Sequence, residues 1–188
     1  MDEEFINKPK TNLGESFKKH KSKIIIITIL AILGIISFII LDDFKKRQHL
    51  DISKNYNKAK ILIENKKTKE ALTILEKIVF VKNSFYSPSA LNLIVDNNLV
   101  VNKKKILTYY DQIILKSKLD TETKNLYIFK KIIYIGDDIK ESELLSSLKP
   151  IIQSNSLWKN MISDYIKKYY LSKGELSKAK EFEDSINR

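Results

Sequence analysis

Two hydrophobic patterns divide the chain. From Ile24 to Leu41 eighteen residues pass without a charge, and apolar side chains run right round the helix they would form. From Asp51 onward apolar residues instead recur three and four apart. Tyr56, Ala59, Leu62 and Ile63 make one such stripe, and Ala71, Leu72, Leu75, Ile78 and Val79 the next. Strand-like alternation is rare, so the long part reads as helix after helix.

The first pattern has three readings: a cleaved secretory signal, a buried core helix or a transmembrane helix. Eighteen helical residues reach about 27 Å, close to the ~30 Å hydrocarbon core of a bilayer. A signal's apolar region is usually shorter and ends in small residues. Here the exit is Phe38-Ile39-Ile40-Leu41-Asp42-Asp43. A core helix of a chain this small normally keeps a polar stripe. The expectation is an uncleaved membrane helix over 24–41, a tail at 1–23 and one domain at 42–188. Positive residues number five in 9–23 and four in 42–56. That one-lysine margin places the short tail in the cytoplasm and the long domain outside it.

Breaks in the second pattern are regular. "ENKKTKEAL", "VNKKKIL", "IGDDIKESELL" and "LSKGELSKAK" each end one apolar helix and begin another. With Lys66, Asn102, Gly136 and Gly174 as turn centres, the spacings are 36, 34 and 38. A two-helix repeat near 34 residues is the period of a tetratricopeptide-type solenoid. One helical hairpin cannot bury its own apolar face, so neighbours stack into a continuous core. The expected fold is therefore all-α: an amino-terminal membrane helix, then about four hairpins over 48–65/68–81, 89–101/103–117, 121–135/139–152 and 157–172/175–187. Ser87 before Pro88 reads as a cap ahead of a first-turn proline. Asp138 and Glu141 read as a capping-box pattern.

This architecture resembles the YfgM-type ancillary subunits of the SecYEG translocon. "EAL" at 70–72 and "KGELSKA" at 173–179 fit the repeat's turn and small residue, with Gly174 and Ala179 five apart, as Lys66 and Ala71 are. "LWKNMISDYIKKYYLSKGELSKAKEFE" resembles the family's last repeat, where a tryptophan often opens the hairpin. The resemblance implies a single-pass inner-membrane protein with a periplasmic solenoid. It also implies protein partners, the translocon or periplasmic folding factors such as a chaperone. Two other readings stay open: a scaffold of another envelope complex (outer-membrane assembly or cell division), and a lipid-binding or enzymatic helical domain.

Composition changes this picture little. The net charge of +11 invites a nucleic-acid reading, but thirty-two of the thirty-four positive residues are lysine. Base readout and planar phosphate recognition favour arginine. A solvated lysine surface, with some attraction to anionic lipid head groups, explains the charge more simply. Cysteine is absent, which removes disulfides and thiolate metal sites.

Candidate chemistry is sparse. A membrane helix would part the only histidines, His20 and His49, and so exclude a site using both. Asp137, Asp138, Glu141 and Glu143 lack the ligand alternation of a calcium loop and suit helix capping. No phosphate-binding glycine loop, nucleophile elbow or catalytic triad is present. The expectation is a non-enzyme without cofactor or metal. Tyrosines spaced three and four apart read as packing between repeats.

The remaining candidate is a groove along the first helix of each pair. Register from the turns selects Tyr56, Lys60, Ile63, Leu126, Lys130, Tyr134 and Lys168, a mixture suited to an extended, partly acidic or unfolded segment. Within the apolar run, Ala31, Gly34 and Ser37 form a small-residue stripe that could contact another membrane helix.

Overall fold

The computed structural model describes the backbone of residues 13–186, and the side chains of Lys23 and residues 25–185 except those of 27, 28, 31, 41 and 45. Every regular element among the described residues is helical. In order they are α1 (Leu13–Glu64), α2 (Thr68–Phe80), α3 (Tyr86–Asp96), α4 (Lys103–Lys116), α5 (Thr121–Ile135), a short 3₁₀ turn at Gly136–Asp138, α6 (Glu141–Ile152), α7 (Lys159–Ser172) and α8 (Leu176–Ile186). The chain divides into two units, residues 1–50 and Asp51–Arg188.

In the first unit α1 presents a run of exposed apolar side chains. Over the described residues, no helix is long and apolar enough to cross a membrane. Side chains of the uncharged run at 24, 27, 28, 31 and 41 lie outside that set. The sequence placed a break between Leu41 and residue 48, but the backbone is helical there. Ion pairs Asp42–Lys46 at 2.7 Å and Asp43–Arg47 at 2.8 Å, each four residues apart, bridge successive turns.

The second unit contains the four expected pairs: the end of α1 with α2, then α3 with α4, α5 with α6, and α7 with α8. Each helix from α2 to α8 packs on the next, and α2 also packs on α4. This is the neighbour-on-neighbour stacking of an α-solenoid. The hydrogen bonds carry the same signature. Among the described residues, every side-chain hydrogen bond spanning more than twenty residues spans between 29 and 39, close to one repeat.

The core has two clusters. Ile52, Ala59, Leu75, Ile78, Val79, Ala90, Leu91, Ile94, Ile106, Tyr109, Tyr110 and Ile113 gather with Tyr127 in the first. Phe129, Ile132, Leu144, Leu148, Ile162, Ile166, Tyr170 and Ala179 are among the second. Helix α5 serves both: Tyr127 and Phe129 lie two residues apart, about 200° around the helix, and enter opposite clusters.

Three turns close alike. The backbone N–H of Lys66 donates to the Ile63 carbonyl and that of Lys67 to Leu62. Asn98 and Leu99 repeat this on Val95 and Ile94, and Gly174 and Glu175 on Leu171 and Tyr170. The middle residue of each closure has positive φ, at 61°, 50° and 76° for Lys66, Asn98 and Gly174. This is a Schellman-type helix end, whose left-handed residue satisfies the last carbonyls. Gly136 is different: with φ 65° and ψ −142° it occupies a region essentially restricted to glycine.

Three local expectations need correction. The second turn centres on Asn98, while Asn102 caps α4 and accepts from the Lys105 N–H at 3.1 Å. Ser87 does not cap α3 with its hydroxyl. Asn83 does so, its Oδ1 accepting from the N–H groups of Phe85 and Tyr86, and Ser87 Oγ donates to the Ile78 carbonyl at 2.7 Å. Asp138 does not cap α6 either, because Lys103 holds its carboxylate at 2.6 Å.

Candidate partner-binding face

The first helices of the pairs are the end of α1, α3, α5 and α7. Their sequence periodicity sends one side into the clusters just described and leaves a second side half-covered. There tyrosines from four elements meet. Tyr56 of α1 lies 5.6 Å from Tyr86 of α3, ring centre to ring centre. Tyr110 of α4 lies 5.8 Å from Tyr134 and 6.4 Å from Tyr127, both on α5. Tyr127 donates its hydroxyl hydrogen to the Pro88 carbonyl at 3.0 Å, which ties α5 to the start of α3.

Polar groups at this cluster are few and placed. Lys130 Nζ donates to Asn92 Oδ1 at 3.0 Å and lies 5.3 Å from the centre of the Tyr127 ring. Asp96, at the end of α3, acts electrostatically on Tyr56, Tyr110 and Tyr127. Burial first, and then the charges of Tyr134 and Asp96, push the Tyr110 phenol up to about 12. Burial likewise raises Tyr127 and Tyr56. Tyr56, Tyr110 and Tyr127 are therefore neutral hydrogen-bonding groups at ordinary pH.

Three of the residues selected from sequence, Tyr56, Lys130 and Tyr134, belong to this neighbourhood. Ile63 is half-buried against the first cluster. Lys60 and Lys168 are exposed and Leu126 is half-buried. Among the described residues no hydrogen bond, ion pair or ring contact joins these last three to the tyrosines. Tyr86, Asn92 and Asp96, all on α3, also border this cluster and were not among the residues selected from sequence, which drew none from that helix. In the small-residue stripe Gly34 and Ser37 are exposed, and a Cβ added at Gly34 would meet nothing; the Ala31 side chain lies outside the described residues.

The opposite side of α5 lines a cleft of about 530 Å³ with α4 and α6. Its floor is apolar (Ile114, Ile128, Ile132 and Ile151), and the ion pair of Lys131 with Asp111, at 2.6 Å, stands at its wall. Around the acidic cluster, Glu141 accepts from Tyr170 at 2.9 Å and pairs with Lys178 at 2.7 Å. Among the described residues no group of histidines and carboxylates could hold a metal ion.

No family model, no curated protein and no solved structure matches the chain. The fold thus defines a class, an all-helical protein of stacked hairpins, and the likeness to translocon subunits rests on the sequence features alone.

Proposed function

We propose that the chain is a non-enzymatic, single-pass membrane scaffold. Residues 24–41 anchor it, and the helical repeats bind proteins outside the cytoplasm along the faces of their first helices. The observation that carries this reading is the state of α1. The described large apolar side chains from Ile25 to Ile40 are between 47% and 73% exposed. A contiguous apolar surface of that extent is unstable in water and is satisfied by hydrocarbon.

An anchored solenoid works by confinement. Held at the bilayer, its weak protein contacts are multiplied by the high effective concentration of other membrane-bound partners. The resemblance to YfgM-type subunits makes the Sec translocon and periplasmic folding factors the proposed partners. The face built by Tyr56, Tyr134, Lys130, Asn92 and Asp96 suits an extended segment: aromatic rings offer area at low entropic cost, and the amide and charges fix direction.

The test is photo-cross-linking in intact membranes from a reactive residue at the exposed positions 60 and 168. Adducts with translocon subunits or with chains in transit are expected. Efficient adducts with neither, from both positions, would contradict the proposed partner.

A further inference from the structure

The junction between α2 and α3 carries a feature that the scaffold reading does not use. Among the described residues from Asp51 onward, the only exposed aromatic rings are Phe80 and Phe85, at 49% and 66%. Val81, at 38%, stands between them with the exposed Lys82, and Lys77 is exposed one turn earlier. Every tyrosine of this unit and Trp158 is buried or half-buried.

This exposure is held in place. Asn83 Oδ1 accepts from the N–H of Phe85 at 2.9 Å and from that of Tyr86 at 2.8 Å. Ser87 Oγ accepts from the Asn83 N–H at 3.0 Å and donates to the Ile78 carbonyl at 2.7 Å, locking the junction to the end of α2. Lys82 sits in the left-handed region with φ 63°. Phe80 meets Tyr109 at 6.0 Å and Phe85 meets Tyr86 at 5.0 Å, both near-perpendicular ring pairs, so each exposed ring is braced by a more buried tyrosine.

The junction also lies at a defined end of the unit. Three residues, 65–67, join α1 to α2, which makes the two antiparallel. The end of α2 therefore returns toward Asp51, where the unit begins. The ring contact of Tyr56 with Tyr86 places the start of α3 beside the unit's first turns. Only nine residues, 42–50, separate Asp51 from the uncharged run. They reach about 14 Å if helical and at most about 30 Å if extended. Whatever its orientation, the unit's first turns stay within that distance of any bilayer that holds residues 24–41.

We propose that the α2–α3 junction is a second membrane contact, in which Phe80, Val81 and Phe85 enter the head-group boundary and Lys77 and Lys82 face anionic lipid. Apolar rings flanked by lysine are the composition of interfacial segments, which bury such side chains at the boundary of head groups and acyl chains. The contact would fix which face of the solenoid looks along the membrane. It rests on the anchor reading above.

The chain lacks cysteine, so single nitroxide labels can be placed cleanly on Ser84→Cys, Val101→Cys and Ile35→Cys variants of the full protein. Position 101 is at the opposite end of the helices and 96% exposed. In vesicles of phosphatidylcholine containing one quarter phosphatidylglycerol, collision rates with oxygen and a water-soluble nickel complex report depth. The label at 84 is expected to be about three-fold less accessible to nickel than the label at 101, with 35 inaccessible. Adding Phe80→Ser and Phe85→Ser should return 84 to the level of 101. Equal nickel access at 84 and 101, with 35 still protected, would overturn the junction contact and spare the anchor. Free access at 35 would overturn the anchor, and the junction contact with it.

Discussion

Tyr109 donates its hydroxyl hydrogen to Glu76 Oε1 at 2.5 Å, thirty-three residues back along the chain. Lys105 completes the group with an ion pair to the same carboxylate at 2.7 Å. The contact fastens α4 to α2, one repeat onto its predecessor. Burial works to raise the Glu76 pKa, but the hydrogen bonds from Lys105 and Tyr109 outweigh it and hold the carboxyl below its usual value. Glu141, held down by hydrogen bonds from Lys178 and Tyr170, plays the same part between α6 and the last pair.

Removing one partner tests how far this clasp holds the repeats together. Tyr109→Phe keeps the ring and deletes the hydrogen bond, and is expected to cost about 1 kcal/mol. A double-mutant cycle with Glu76→Gln, read by urea denaturation, should show coupling between the two sites. Additive effects would mean that the contact contributes nothing of its own.

The tyrosines set an alkaline limit. Burial is the first cause that pushes Tyr109, Tyr110 and Tyr170 up to about 12. The unfolded chain releases these protons near pH 10, so between about pH 10 and 12 the folded state binds more protons and stability falls as pH rises. On the acid side the signs reverse. Glu76, Asp138 and Glu141 have lowered values, so their contribution is complete above the ordinary carboxylate range and is lost as pH falls through the folded-state values. Urea midpoints should be level from about pH 6 to 9 and drop on both sides. Phenolate absorbance should show a group of tyrosines ionising only with unfolding.

Positive φ at two equivalent turns gives substitutions of opposite sign. Lys66 pays a left-handed penalty that Gly174 does not, at φ 61° and 76°. Lys66→Gly is expected to stabilise by about 0.5–1 kcal/mol, and Gly174→Ala to destabilise by about 1 kcal/mol. Gly136→Ala, in its glycine-only conformation, should cost more, roughly 1–3 kcal/mol. Thermal melts order the three.

The proposed partner face yields its own prediction. Lys60 and Lys168 are exposed, so Lys60→Glu with Lys168→Glu should leave stability within about 1 kcal/mol of the parent. Cross-link yield from a neighbouring position should fall several-fold if acidic or unfolded segments dock there. Unchanged yield would remove both lysines from the face.

Much of the fold was legible because its signals are local and repeated. The stripes Ala59/Leu62 and Ala71/Leu75/Ile78/Val79 are buried, and the four pairs fall within a few residues of the spacing read from sequence. What failed was choice among polar residues at helix ends. Asn83, Ser87, Asn98, Asn102 and Asp138 can each cap, turn or pair, and the outcome depends on tertiary partners such as Lys103 or the Ile78 carbonyl. The helix expected over 89–101 lies at Tyr86–Asp96, and the second turn at Asn98 rather than Asn102; the groove selection took no residue from it. Lys130 and Tyr134 lie at the tyrosine cluster, on a helix whose end at Gly136 matches the turn read from sequence.

The central claim is that residues 24–41 hold the helical repeats in a membrane, and its most direct test is alkaline carbonate extraction of membranes carrying the full chain. Retention in the membrane pellet beside an integral marker is expected. Release of the chain into the supernatant with peripheral proteins would contradict the claim.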